Sequence, residues 1–154
     1  MSESLRLVPF QVRHVAGLRL RPQADATLSR LGPVDELARG YEAAGPAWTL
    51  FAGDWPLVCG GVVRFWPGAG ELWCWTGDEA GRWSVAFARQ ARQCVSRLGA
   101  EHGFHRVQAH VREADEQARG FAMFLGLTLE GRCPGYGPDQ ATYLLYGRFF
   151  GWKA

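Results

Sequence analysis

Apolar and polar residues alternate over SLRLVPF (4–10), and this period of two predicts a first strand. From Gln11 to Ala44 the spacing becomes helical, with breaks at Pro22 and at LGP (31–33). Pro33 suits a first helical position and Gly45 a helix end, so two helices are predicted before the main sheet, the second over about 33–44. AWTLFAGDWPLVCGGVVRFW (47–66) reads as two strands around a Gly-Asp turn. PGAG (67–70) is the next turn. ELWCWT (71–76) is a third strand, with Glu71, Trp73 and Trp75 on one face and Leu72, Cys74 and Thr76 on the other.

Asp78 is then placed to N-cap a helix. Trp83, Phe87, Ala91, Cys94 and Leu98 form its apolar stripe, and Gly103 closes it after His102. HRVQAHV (105–111) alternates as a strand with Val107, Ala109 and Val111 on one face and His110 on the other. Asp115 opens a helix that runs to Leu125 and stops at Gly126. LTLEGRC (127–133) is a strand, PGYGPDQ (134–140) a loop and ATYLLYGRF (141–149) the last strand. The order is β-α-α-β-β-β-α-β-α-β-β. The strand–helix–strand unit over 71–111 requires a parallel pair, because its connection is a long helix. Flanking hairpins bring antiparallel neighbours. The expected class is therefore a mixed α/β sheet, in one domain spanning 1–154.

Composition narrows this picture. Apolar residues make up 47% of 154, which is globular rather than disordered. A formal net charge of +2 gives no argument for a nucleic-acid partner, and Arg82, Arg89, Arg92 and Arg97 read as a solvated helix face. No C-x-x-C pair occurs among Cys59, Cys74, Cys94 and Cys133, which read as reduced, buried thiols. No His/Cys/Asp/Glu set has metal-ligand spacing, so no metal is expected. MSESLRLVPF has no signal-peptide pattern, and no apolar run approaches membrane-helix length; the expectation is a soluble, cytoplasmic protein. The apolar FFGWK (149–153) is expected to fold back on the domain or to contact a partner or a second copy of the chain.

The element order resembles the GCN5-related N-acetyltransferase (GNAT) fold over nearly the whole chain. The most specific stretch is VREADEQARGFAMFLGLTLEG (111–131), where Val111, Ala118, Phe121, Gly126, Leu127 and Gly131 fall on the family pattern and Asp115 stands at its usual Asn. WPLVCGG with ELWCWTGDEAGRWSVAFARQARQ also resembles a phage-encoded branch that includes internal-virion-protein-like products of short-tailed phages. The resemblance implies acetyl-CoA as cofactor, bound where two parallel strands splay. Trp73, Cys74 and Trp75 would supply backbone to the pantetheine, and backbone N–H groups near Trp75 would hold the acyl carbonyl. Gly81 and Arg82 would meet the pyrophosphate at the crossover helix, with Asp115 a further cofactor contact. An amine would be the acceptor.

Two departures stand against this. In DEAGRW (78–83) only Gly81 keeps the family's phosphate loop, and Asp78, Glu79 and Trp83 replace basic, amide or small residues. Ala122 occupies the place where many members carry a tyrosine acid. Tyr136 or Tyr143 would have to substitute. Glu71 and His110 are the candidate bases, and His102 and His105 read as structural at a helix end. Trp48, Trp55, Trp66, Trp73 and Trp75 read first as a packed aromatic face. The alternative function is a virion-associated or morphogenesis protein that keeps the fold without the reaction, with phage structural proteins as partners.

Overall fold

The computed structural model describes residues 4–20 and 30–151, without the side chain of Arg82. Seven strands follow the order β1-β2-β3-β4-β5-β7-β6. They are β1 (Leu5–Pro9), β2 (Ala47–Ala52), β3 (Trp55–Trp66), β4 (Ala69–Thr76), β5 (Arg106–Arg112), β6 (Thr128–Cys133) and β7 (Tyr143–Phe149). The helices are α1 (Val34–Ala44), α2 (Ser84–His102) and α3 (Glu116–Phe124), and 3-10 turns cover Val12–Gly17 and Asp78–Trp83. This is the α/β class with a mixed sheet that the patterning predicts. The first of the two early helices is partly replaced by the 3-10 turn at Val12–Gly17, and its remainder over 21–29 lies outside the described residues.

The chain condenses into two compact units, residues 1–63 with 73–84 and residues 64–72 with 85–154. In the first unit β1 pairs antiparallel with β2, and β2 with β3 around Gly53, whose φ of 58° suits glycine. Phe10, Leu18, Ala38, Cys59 and Trp75 form its buried cluster. Trp73 and Trp75 do share a face, with ring centroids 5.0 Å apart, and both lie against Tyr41. The continuous aromatic face does not form. Trp55 is 46% exposed and Trp66, at the end of β3, is 63% exposed. The thiols also divide: Cys59 is fully buried, whereas Cys74 points outward from β4 and is exposed. Period-two alternation alone places Cys74 on the opposite face from the buried Trp75.

Polar residues also enter this core. Buried His14 and Thr49 are joined by a 2.7 Å bond between Nδ1 and Oγ1, and Thr49 Oγ1 lies 3.6 Å from Cys59 Sγ. The Gln11 N–H donates to His14 Nδ1 at 3.2 Å, so that nitrogen is bare and the ring is neutral, with its proton on Nε2. Burial and the Arg13 charge hold the His14 pKa below its ordinary 6.5, and burial pushes the Cys59 thiol up to about 12. For His14 the unfolded chain takes up a proton that the folded chain resists. Its contribution is complete above pH 6.5 and is lost as pH falls through the lower folded pKa. Urea unfolding at pH 7.5 and 5.5 should therefore show a larger stability loss for the natural chain than for His14→Gln. Equal losses would refute the linkage.

In the second unit β5 pairs antiparallel with β7, and β7 with β6. Val95, Leu98, Phe104, Val107 and Leu144 are buried. The α2 stripe and the solvated Arg89, Arg92 and Arg97 follow the predicted periodicity. Gly103 and Gly126 close α2 and α3 with φ of 73° and 88°. Asp115 caps α3 by accepting from the Ala118 N–H at 3.0 Å. Phe150 folds back onto α2, since a Cβ on Gly99 would come within 2.8 Å of the Phe150 Cβ. Residues 152–154 of the apolar tail lie outside the described residues.

Candidate active site

The parallel ladder between β4 and β5 has three rungs, Ala69↔Arg106, Gly70↔Val107 and Glu71↔Gln108. It stops there although β4 continues to Thr76 and β5 to Arg112. Glu71 is thus the last residue of β4 paired with β5, and two residues beyond its partner on β5 stands His110. Gln108 and His110 share a face because side chains alternate along a strand.

The Glu71 carboxylate collects three donors. Its Oε1 accepts from Gln108 Nε2 at 3.1 Å, and its Oε2 accepts from the His110 backbone N–H at 2.9 Å and lies 2.8 Å from His110 Nδ1. An oxygen already serving as acceptor takes the Nδ1–H, which leaves the lone pair on Nε2. The side chains are 24% and 15% exposed, so the pair is shielded but not sealed. A carboxylate that holds one imidazole nitrogen fixes the tautomer and stabilises the imidazolium formed when the other takes a proton.

Tyr136 stacks on the imidazole, with centroids 4.2 Å apart and planes 9° from parallel, and Tyr143 lies 5.4 Å from Tyr136. The 134–140 loop that presents Tyr136 is tightly built. Gly135 and Gln140 have φ of 68° and 65°. Arg112 donates to Asp139 Oδ2 at 2.8 Å, and Asp139 Oδ1 accepts from the Ala141 N–H. The Arg112 guanidinium holds the Asp139 carboxyl below its usual range. A side chain on Gly137 would collide with the Tyr143 ring, 2.6 Å from the added Cβ. On the same strand, Arg106 pairs with Glu130 at 2.6 Å. Glu130 falls at a register shift in β6, which turns its carboxylate onto the strand pair.

The sequence candidates for proton transfer, Glu71, His110 and Tyr136, therefore come together, with Tyr143 beside Tyr136. Gln108, Arg112 and Asp139 complete the cluster and went unmarked in the sequence. The alternation of HRVQAHV does place Gln108 beside His110; its reach to Glu71 needs the parallel register.

The phosphate-loop candidates are arranged differently from expectation. Asp78 is not the helix cap. Gly77 occupies that position without a side-chain cap bond, a 3-10 turn runs from Asp78 to Trp83, and α2 begins only at Ser84. The Asp78 N–H donates to the Arg19 carbonyl at 2.6 Å and the Ala80 N–H to the Gly77 carbonyl. These bonds consume donors that an anion would need. Gly81 is exposed, and a Cβ there would meet nothing within 4 Å. Trp73 Nε1 is buried without a hydrogen-bond partner, and Cys74 Sγ lies 3.6 Å from Thr76 Oγ1. Asp115 is occupied as the α3 cap. Among the described residues no group of His, Cys, Asp and Glu is arranged to hold a metal ion, and no helix is long and apolar enough to cross a membrane.

A mixed sheet with one short parallel pair, a crossover helix and an antiparallel closing strand pair is the GCN5-related N-acetyltransferase fold. Solved structures agree. Ard1 from Thermoplasma volcanium superposes with a TM-score of 0.75 at 14% identity, covering 94% of this chain and 97% of that one. A GNAT-family acetyltransferase from Bacillus anthracis gives 0.71 at 12% identity over 97% and 96%. A mutant of the spermidine N-acetyltransferase SpeG from Vibrio cholerae gives 0.71 at 11% identity over 94% and 93%. No protein-family model and no curated protein matches the chain.

Proposed function

We infer that this chain transfers an acetyl group from acetyl-CoA to an amine, with Glu71, His110 and Tyr136 moving the protons. The observation that supports this most directly is the Glu71–His110 pair with Tyr136 stacked on it. His110 Nε2 takes the proton from the acceptor ammonium, and Glu71 stabilises the resulting imidazolium. The freed nitrogen lone pair forms the new C–N bond as the C–S bond breaks. Tyr136 Oη would give a proton to the departing thiolate, in place of the tyrosine that the Ala122 position lacks, and would regain one from solvent as the acylated nitrogen sheds its second proton to water. Bound acetyl-CoA supplies the activated thioester carbonyl.

The residues fit this cofactor in part. Peptide groups of Trp73, Cys74 and Trp75 lie beyond the last rung of the parallel ladder, and Gly81 leaves open space at the turn before α2. Arg82 would meet the pyrophosphate from that same turn. Exposed Asp78 and Glu79 oppose a diphosphate. Asp78→Gln combined with Glu79→Ala should therefore tighten acetyl-CoA binding in calorimetric titration. Absence of heat or thermal shift at millimolar acetyl-CoA, in both the natural chain and the double variant, would sink the reading. One observation favours a second reading, a fold that has lost the reaction: Ala122 is buried at the expected acid position. Cofactor binding without turnover would select it. Phage structural partners belong to that second reading and would appear as co-purification with virions or assembly intermediates.

A further inference from the structure

A cleft of about 510 Å³ opens in the first unit, and no residue of the Glu71–His110–Tyr136 cluster lines it. Arg6, Val8 and Pro9 of β1, Arg13 and His14 of the 3-10 turn, and Phe51 and Asp54 from the β2–β3 hairpin line it. Two guanidiniums stand against one carboxylate. Both arginines are exposed, and Arg6 lies over the Phe51 ring at 5.0 Å from its centroid. His14 meets the same ring edge-on at 5.0 Å. Its residue is 8% exposed and its Nδ1 is occupied by Gln11 and Thr49, so the Nε2–H remains as a donor. A buried imidazole that commits its lone pair to the interior and keeps an N–H for the cleft is arranged to meet an acceptor. An aromatic wall beside it suits a flat or apolar body.

We propose that this cleft binds a small organic oxyanion, a phosphate monoester or a carboxylate, with Arg6, Arg13 and the His14 Nε2–H on the charged oxygens and Phe51 against the ligand body. Charge-assisted donors in a fork favour such groups. Asp54 at the hairpin weakens the site for a dianion and tunes its selectivity. The groups facing His14 are Arg13 and Gln11 from its own turn, Arg6 from β1, Glu42 from α1, and Thr49 from β2. Burial first, then Arg13 and Arg6, depress its protonation, and Glu42 opposes them. An anion in the cleft offsets the two guanidiniums, so binding raises the His14 pKa.

The test is NMR titration of the histidine ring resonances in the full chain, with phenyl phosphate and benzoate as separate probes. A saturable shift at His14 with a raised pKa is expected. Arg13→Gln should weaken binding roughly tenfold, and Asp54→Asn should strengthen it. Tighter phenyl phosphate binding assigns a phosphate monoester, and tighter benzoate binding a carboxylate. No saturable shift at tens of millimolar of either probe, or unchanged binding in Arg13→Gln, overturns the proposal. The outcome is independent of acetyl transfer, since none of these residues belongs to the Glu71–His110–Tyr136 cluster.

Discussion

Glu71→Gln should lower kcat for amine acetylation by roughly 10²- to 10⁴-fold while leaving the affinity for acetyl-CoA within about twofold of the natural chain. The carboxamide keeps the volume of the carboxylate and can still accept from the His110 backbone N–H. It cannot compensate the charge of an imidazolium 2.8 Å away. His110→Ala should cost a similar factor. The double variant should be little worse than either, because the two residues act as one proton-accepting unit. Tyr136→Phe removes only the proton donor and keeps the stacked ring, so it should reduce kcat without raising KM for the amine. If Glu71→Gln retains full kcat, the pair is a structural contact.

Leu98→Ala should destabilise the fold by roughly 2–5 kcal/mol. Leu98 is 1% exposed on α2, and it stands in the stripe that also buries Val95. Its carbonyl additionally receives the Phe104 N–H at 3.3 Å as the chain leaves the helix, so the segment around it has little freedom to collapse into a void. Urea unfolding should show a lower midpoint with an unchanged slope. Leu98→Met, which nearly conserves volume, should cost less than about 1.5 kcal/mol. An alanine variant within experimental error of the natural chain would show that this position is not part of the core.

Particular residues show how far the chain's own pattern reaches. Alternation in HRVQAHV puts Val107 inside and His110 with Gln108 on the opposite face, and the β5 register agrees. Asp115 and Gly126 bracket α3 as their capping chemistry demands. The helix start after β4 was less legible. Asp78 has the chemistry of a cap, yet the Gly77 and Asp78 N–H groups bond to the Leu57 and Arg19 carbonyls, and this long-range anchoring draws the segment into a 3-10 turn. Local propensity does not register a partner some twenty or sixty residues away. The tryptophans mislead for a related reason. Five of the seven cluster over 48–75 and suggest one aromatic face, but a β3 residue is buried only where another element covers it, and Trp55 and Trp66 are exposed.

The loop WTGDEAGRW marks the division. Its strand-before, helix-after position fits the fold, while its acids and its engaged backbone donors leave few groups free for an anion. Periodicity, caps and turn residues by themselves determined most of the element order and the parallel crossover, which are local properties set by backbone sterics and by the alternation of apolar side chains. The choice of Glu71 and Tyr136 as proton-transfer candidates came from the family resemblance, and that of His110 from its imidazole and its face of the strand. Tertiary structure alone decided that Glu71 on β4 meets His110 on β5, that Arg112 and Asp139 hold the loop that lays Tyr136 on that imidazole, and that His14 keeps one N–H for an open cleft. Each depends on register between distant segments, where burial and hydrogen-bond satisfaction across the fold choose the partner.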